Sequence, residues 1–181
     1  MKICVYGASG TALAQPYYDD ARDLGRLLAR DGHALVFGGG ARGLMGACAE
    51  GAAELGGEII GVAPRFFDEP GILFPRCSRF VYTETMAERK NAMFAESEAF
   101  IAMPGGIGTF EELLETLTLK QLGRHDKPIA FLDYDGYWTP AVELIRGAVE
   151  KGFAAPAVLG LFGVFTDPEE CVAWLEKEAR A

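Results

Sequence analysis

Two groups of charged residues in this chain have the types and spacing to do chemistry. Glu111, Glu112 and Glu115 come directly after the loop Pro104-Gly105-Gly106-Ile107-Gly108-Thr109. A glycine-rich loop that runs into a helix presents unpaired N–H groups and a partial positive charge, which suits an anion such as phosphate. Glycine lets the ligand approach the backbone closely, and Thr109 adds a hydroxyl donor. The same loop also reads as a tight strand-to-helix turn with no ligand. On a helix, Glu111 and Glu115 share a face with Thr118, and Glu112 points roughly a quarter-turn away. Two roles stay open for Glu112. It is a candidate catalytic carboxylate, and Thr109-x-x-Glu112 is also the spacing of a capping box that merely closes a helix start. Acids in a first helical turn also compensate the helix dipole.

The second group is the pair Arg89-Lys90. Thr85-Met86-Ala87-Glu88 has capping-box spacing, so the two cations lie early on a helix through about Ser97. Cations there suit a phosphate or a carboxylate. Adjacent helical residues face different ways, so the two have different tasks, one of them compatible with a solvated surface charge. Two more glycine clusters accompany these groups. Gly38-Gly39-Gly40-Ala41-Arg42-Gly43-Leu44-Met45-Gly46 contains three consecutive glycines, whose entropy cost points to close approach by a ligand or by a neighbouring strand. It is neither a GxGxxG dinucleotide fingerprint with its ribose-binding acid nor a GxxxxGK[ST] P-loop. Gly7-Ala8-Ser9-Gly10-Thr11 is the weaker cluster, equally readable as a simple turn.

These groups need elements to hold them. Short apolar runs alternate with amphipathic stretches. Strands are predicted at 3–6, 33–37, 58–63, 80–83, 99–103, 129–132 and 161–165. Helices are predicted at 16–30, 43–55, 85–97, 110–122, 137–151 and from 168 onward. Ala21, Leu24, Leu27 and Leu28 form one buried face, and Phe110, Leu113, Leu114 and Leu117 another. Residues 64–79, with three prolines and Gly71, read as a surface loop or lid. The alternation implies an α/β fold: a doubly wound, mostly parallel sheet with helices on both faces, one domain over 1–181. Each glycine cluster follows a strand and precedes a helix. That places all three at the carboxyl edge of the sheet, where such folds bind ligands.

Composition narrows the function. The net charge of −9 lacks the basic footprint of a nucleic-acid binder. Cys4, Cys48, Cys77 and Cys171 are widely spaced, and His33 and His125 are the chain's two histidines, so no zinc site is expected. Buried free thiols fit a reducing cytoplasm. Neither a signal peptide nor a membrane span is legible.

Together these residues resemble one family. Met86 to Met93 is similar to its arginine-lysine helix, Pro104 to Glu112 fills its PGGxGTxxE motif, and Gly38 to Gly46 fills its GGGxxGLMG motif. His125-Asp126-Lys127-Pro128 and Asp135-Gly136-Tyr137 are similar too. The family is LOG ("lonely guy"), the cytokinin riboside 5′-monophosphate phosphoribohydrolases. The resemblance implies a Rossmann-like fold, a homodimer, and no metal or organic cofactor. It implies hydrolysis of a prenylated adenine nucleotide or AMP to free base and ribose 5-phosphate. It assigns catalysis to Arg89 and Glu112. It assigns nucleotide contacts to Ser9, Gly39, Gly40, Met45, Lys90, Gly105, Gly106, Ile107, Gly108, Thr109, Glu111 and Thr118. The first loop reads Gly-Ala-Ser where the family often has Gly-Ser-Ser, which removes one hydroxyl. The family can place a substrate-binding acid in the 64–79 stretch, where Asp68 and Glu69 are available. Chains of this kind have also been labelled lysine decarboxylases, which no cofactor motif here supports. The alternative within the fold is a non-catalytic carrier of a nucleotide or of molybdenum cofactor.

Overall fold

A computed structural model describes residues 1–180. Among these residues, seven strands form one sheet: β1 (Lys2–Tyr6), β2 (Ala34–Phe37), β3 (Ile59–Pro64), β4 (Arg79–Thr83), β5 (Ala99–Ala102), β6 (Ile129–Leu132) and β7 (Gly163–Phe165). Their order is β4-β3-β2-β1-β5-β6-β7, and every pairing is parallel. The expected "mostly parallel" sheet is therefore wholly parallel among the described residues. The order reverses at β1, whose neighbours are β2 and β5. The crevice at such a switch point lies outside the carboxyl ends of the strands.

Six α-helices among the described residues pack on the sheet: α1 (Gln15–Arg30), α2 (Gly43–Glu54), α3 (Met86–Glu96), α4 (Ile107–Gln121), α5 (Thr139–Glu150) and α6 (Pro168–Glu178). The central strands are apolar throughout because helices cover both faces. One core contains Ile3, Val5, Leu35 and Phe37 under Leu24, Leu28 and Leu44; the other contains Cys4, Tyr6, Val36 and Phe100 under Met93, Leu113 and Leu117. On α1, Ala21, Leu24, Leu27 and Leu28 are buried as periodicity predicts, together with Gly25. A Cβ at Gly25 would lie 1.9 Å from the Cys48 carbonyl oxygen, and one at Gly51 1.9 Å from the Arg22 carbonyl oxygen. The two glycines let α1 and α2 pack backbone to backbone.

Three expectations change. The helix predicted from Phe110 starts three residues earlier, with Gly106 as N-cap. Glycines at 106 and 108 hide this start from propensity, although the residues they flank are helical. In consequence Thr109 is not a cap residue, and the capping-box role of Glu112 falls away. Leu114, expected in the buried stripe of that helix, is 51% exposed, and Thr116 is buried in its place. The 64–79 stretch is not simply a surface loop. A 3₁₀ turn spans Arg65–Phe67, Leu73 forms an antiparallel bridge with Gly40, and Phe74 is buried against Phe37.

Candidate active site

The three glycine clusters meet through hydrogen bonds along the β1 edge. The Ala8 N–H donates to the Pro104 carbonyl at 3.0 Å, and the Ala8 carbonyl accepts from the Leu44 N–H at 2.8 Å. The weakest cluster in the sequence is thus the tie between the other two. Gly43, at φ +64°, could carry no side chain, since a Cβ would lie 2.3 Å from the Ala8 carbonyl oxygen. Between the clusters opens a cavity of about 880 Å³, within the size range of small-molecule sites. The N-termini of α2 and α4 face it.

Arg89 and Glu112 form the charged centre of this cavity. Both line it. Arg89 Nη1 donates to Glu112 Oε1 at 2.7 Å, and Arg89 Nε donates to the Val62 carbonyl at 3.2 Å. Arg89 is 5% exposed. It reaches the carboxylate by crossing Gly38, where a Cβ would lie 1.9 Å from Arg89 Nη2. So part of the triple glycine serves the arginine. Gly39, at φ +76°, serves packing against Phe80 and Leu73, and Gly40 lines the cavity. Below the carboxylate, Thr116 Oγ1 donates to the Glu112 carbonyl at 2.9 Å and takes the Tyr6 hydroxyl at 3.0 Å. Burial pushes the Glu112 carboxyl above its usual value, and the neighbouring Arg89 charge opposes that rise.

Adjacent in sequence, Arg89 and Lys90 have separate partners. Lys90 Nζ donates to Glu111 Oε1 at 2.5 Å and pairs with Glu115 at 3.0 Å. These two carboxylates hold the Lys90 ammonium above its ordinary pKa, Glu111 contributing most. The capping box at Thr85 is half formed: Thr85 Oγ1 accepts from the Glu88 N–H, and Glu88 reaches back to the Glu84 N–H rather than to that of Thr85.

Of the residues expected to contact a nucleotide, the structure brings Ser9, Gly40, Met45, Gly105, Gly106, Ile107, Gly108, Thr109 and Glu111 to the cavity wall. Gly39, Lys90 and Thr118 are not on it, and Thr118 is exposed on α4. Asp68 and Glu69 are also absent from the lining, where the same segment contributes Phe67, Ile72 and Leu73. Sequence reasoning missed this apolar wall, which continues through Leu13, Tyr17 and Met86. Short loop residues carry no periodicity to mark which way they face. Tyr137, legible in the sequence only as part of the family-like Asp135-Gly136-Tyr137 stretch, also lines the cavity, and its hydroxyl donates to the Gly105 carbonyl.

Residues 45–175 match the family model described as "possible lysine decarboxylase". The chain is 38% identical over 175 residues to the cytokinin riboside 5′-monophosphate phosphoribohydrolase LOG5 of Arabidopsis thaliana, covering 97% of this chain and 77% of that one. It is 38% identical over 176 residues to a probable enzyme of the same name, LOGL2, from Oryza sativa subsp. japonica, covering 97% and 72%. Among solved structures, the molybdenum cofactor binding protein of Rippkaea orientalis superposes with a TM-score of 0.76. It shares 22% identity, covering 97% of this chain and 96% of that one. At that identity the likeness is one of fold.

Proposed function

The chain belongs to the LOG family of cytokinin riboside 5′-monophosphate phosphoribohydrolases, and from that premise we propose that its cavity cleaves the N-glycosidic bond of a nucleoside 5′-monophosphate. The products are a free base and ribose 5-phosphate. The observation that carries the reading is the buried Arg89–Glu112 pair on the wall of a cavity also lined by the Gly105–Thr109 loop.

Cleavage develops positive charge on the ribose, an oxocarbenium-like state. Glu112, as a carboxylate, stabilises that charge and orients the attacking water. Arg89 keeps it ionised against burial and fixes its direction. The start of α4, with Gly106, Ile107, Gly108 and the Thr109 hydroxyl, takes the 5′-phosphate, which supplies binding energy remote from the reacting bond. Ser9, Gly40 and Met45 border the nucleotide. Glu111 acts at the rim, where it holds Lys90. Gly39 shapes the wall through Leu73, which packs against it, and Thr118 plays no direct part. The apolar wall of Leu13, Tyr17, Phe67, Ile72 and Met86 suits an adenine base bearing an apolar substituent. The protein works as a homodimer in the cytoplasm without metal or organic cofactor, and binds neither nucleic acid nor membrane. Buried free thiols at Cys4, Cys48 and Cys171 suit that compartment.

The test is to incubate purified protein with AMP and isopentenyladenosine monophosphate, each beside its unphosphorylated riboside, and to separate products by liquid chromatography. Release of base and ribose 5-phosphate from the monophosphates alone is expected. No release by folded protein overturns the reading in favour of a non-catalytic carrier.

A further inference from the structure

Four carbonyls along the crossing from β5 to α4 accept hydrogen bonds. The Ala102 carbonyl accepts from Trp138 Nε1 at 3.0 Å, and the Pro104 carbonyl accepts from the Ala8 N–H at 3.0 Å. The Gly105 carbonyl accepts from the Tyr137 hydroxyl, and the Gly106 carbonyl accepts from the Phe110 N–H at 3.0 Å. Two of these four donors are the consecutive aromatics Tyr137 and Trp138. They are aimed by the turn after β6, where Asp135 and Gly136 take φ of +53° and +70°. Asp133 fixes that turn, accepting from the Trp138 N–H at 2.5 Å and from Thr139 Oγ1 at 3.2 Å. The Tyr137 ring is held between Phe110 and Trp138.

The bond to Gly105 is the one with a functional consequence. A trans peptide is planar, so its C=O and N–H point in opposite directions. Fixing the Gly105 oxygen therefore fixes the Gly106 N–H, the N-cap amide of α4. A glycine-glycine peptide has the weakest conformational preference of any and is the easiest to turn over. Turned over, it would present a carbonyl oxygen where an anion is to sit. A Cβ at Gly105 would lie 2.1 Å from Thr109 Oγ1, so a bulkier residue cannot supply the rigidity there.

We propose that Tyr137 is a positioning residue, a latch that holds the Gly105–Gly106 peptide in the orientation that donates to the substrate phosphate. This rests on the assignment of that loop to the 5′-phosphate. A net contribution of about 0.5–1.5 kcal/mol for one hydrogen bond corresponds to a change of roughly two- to twelve-fold in affinity.

Tyr137→Phe removes the single hydroxyl and leaves the ring packing intact. The probes are ribose 5-phosphate and adenosine, titrated calorimetrically into wild type and variant, so that no turnover is needed. The expected result is ribose 5-phosphate affinity weaker by about five- to ten-fold, adenosine affinity unchanged, and a matching rise in KM for AMP at nearly constant kcat. Unchanged ribose 5-phosphate affinity overturns the latch. So does equal weakening toward both ligands, which is the mark of a general packing role. Wild-type protein that binds AMP without preference for ribose 5-phosphate over adenosine overturns the phosphate assignment itself, and the latch with it. Wild-type protein that binds ribose 5-phosphate without releasing base from AMP overturns only the reaction, and the comparison of variants still decides the latch.

Discussion

Among single residues, the carboxylate of Glu112 and the guanidinium of Arg89 form one buried pair on which the proposed catalysis turns. Glu112 must be ionised to act, while burial raises its carboxyl pKa and Arg89 restrains the rise. The acid limb of kcat/KM therefore lies above the ordinary glutamate range: activity grows as pH rises through this limb, because deprotonation creates the active form. Removing the restraint moves the limb further up. A pH–rate profile of Arg89→Gln should show the midpoint displaced to higher pH, together with a lower plateau; an unmoved midpoint would show that Arg89 does not control this group. Arg89→Gln should also destabilise the fold by about 3–5 kcal/mol, the usual cost of leaving one member of a buried pair alone, as read from denaturant unfolding.

Secondary-structure elements explain why so many glycines are needed. Gly38 provides the channel for Arg89, and Gly25 and Gly51 bring α1 against α2. These roles separate experimentally. Gly38→Ala places a methyl group on the path of Arg89, so kcat should fall at least ten-fold, with a loss of stability no larger than that of Arg89→Gln, which breaks the same buried pair. Gly25→Ala meets immobile backbone, so it should cost about 1–3 kcal/mol and leave kcat and KM unchanged below the melting transition. If Gly38→Ala lost only stability, the channel argument would fail. The sequence showed the elements well, because apolar runs and capping residues are local signals. It placed the glutamates, the cations and the glycine loops at one edge of the sheet. It did not show that Arg89 meets Glu112, nor that Gly38 exists for that meeting. Those facts join β2, α3 and α4 across the sheet, and a contact between distant segments leaves no local pattern. The start of α4 was misplaced for a local reason: Gly106 and Gly108 disfavour helix by propensity, yet Ile107 to Phe110 are helical. That error alone kept the capping reading of Glu112 alive. The apolar wall from 67 to 73 was hidden because the bridge from Leu73 to Gly40, rather than periodicity, decides what faces inward.

For the whole molecule, the wholly parallel sheet brings one loop from each side of the switch point to a single cavity. A ligand that bridges those loops binds the folded state only, and so must stabilise it. At a concentration of 100 times Kd the gain is about 2.7 kcal/mol, a rise of roughly 5–11 °C in Tm for a chain of this size. Thermal melts with AMP should show it, and melts with adenosine at equal concentration should show much less. Equal shifts from both would place the binding energy in the base and remove the phosphate from its anchoring role. Among the described residues, no helix is long and apolar enough to cross a membrane.

In the proposed reaction Glu112 performs chemistry rather than binding, and Glu112→Gln separates the two. The amide keeps the shape and an acceptor for Arg89 while losing the negative charge. Base release from AMP should fall by about 10²–10³-fold, the scale of removing one stabiliser of transition-state charge, while AMP binds within a few-fold of its wild-type affinity. A variant that turned AMP over at the wild-type rate would take the reaction away from Glu112, and with it the mechanism built on the Arg89–Glu112 pair.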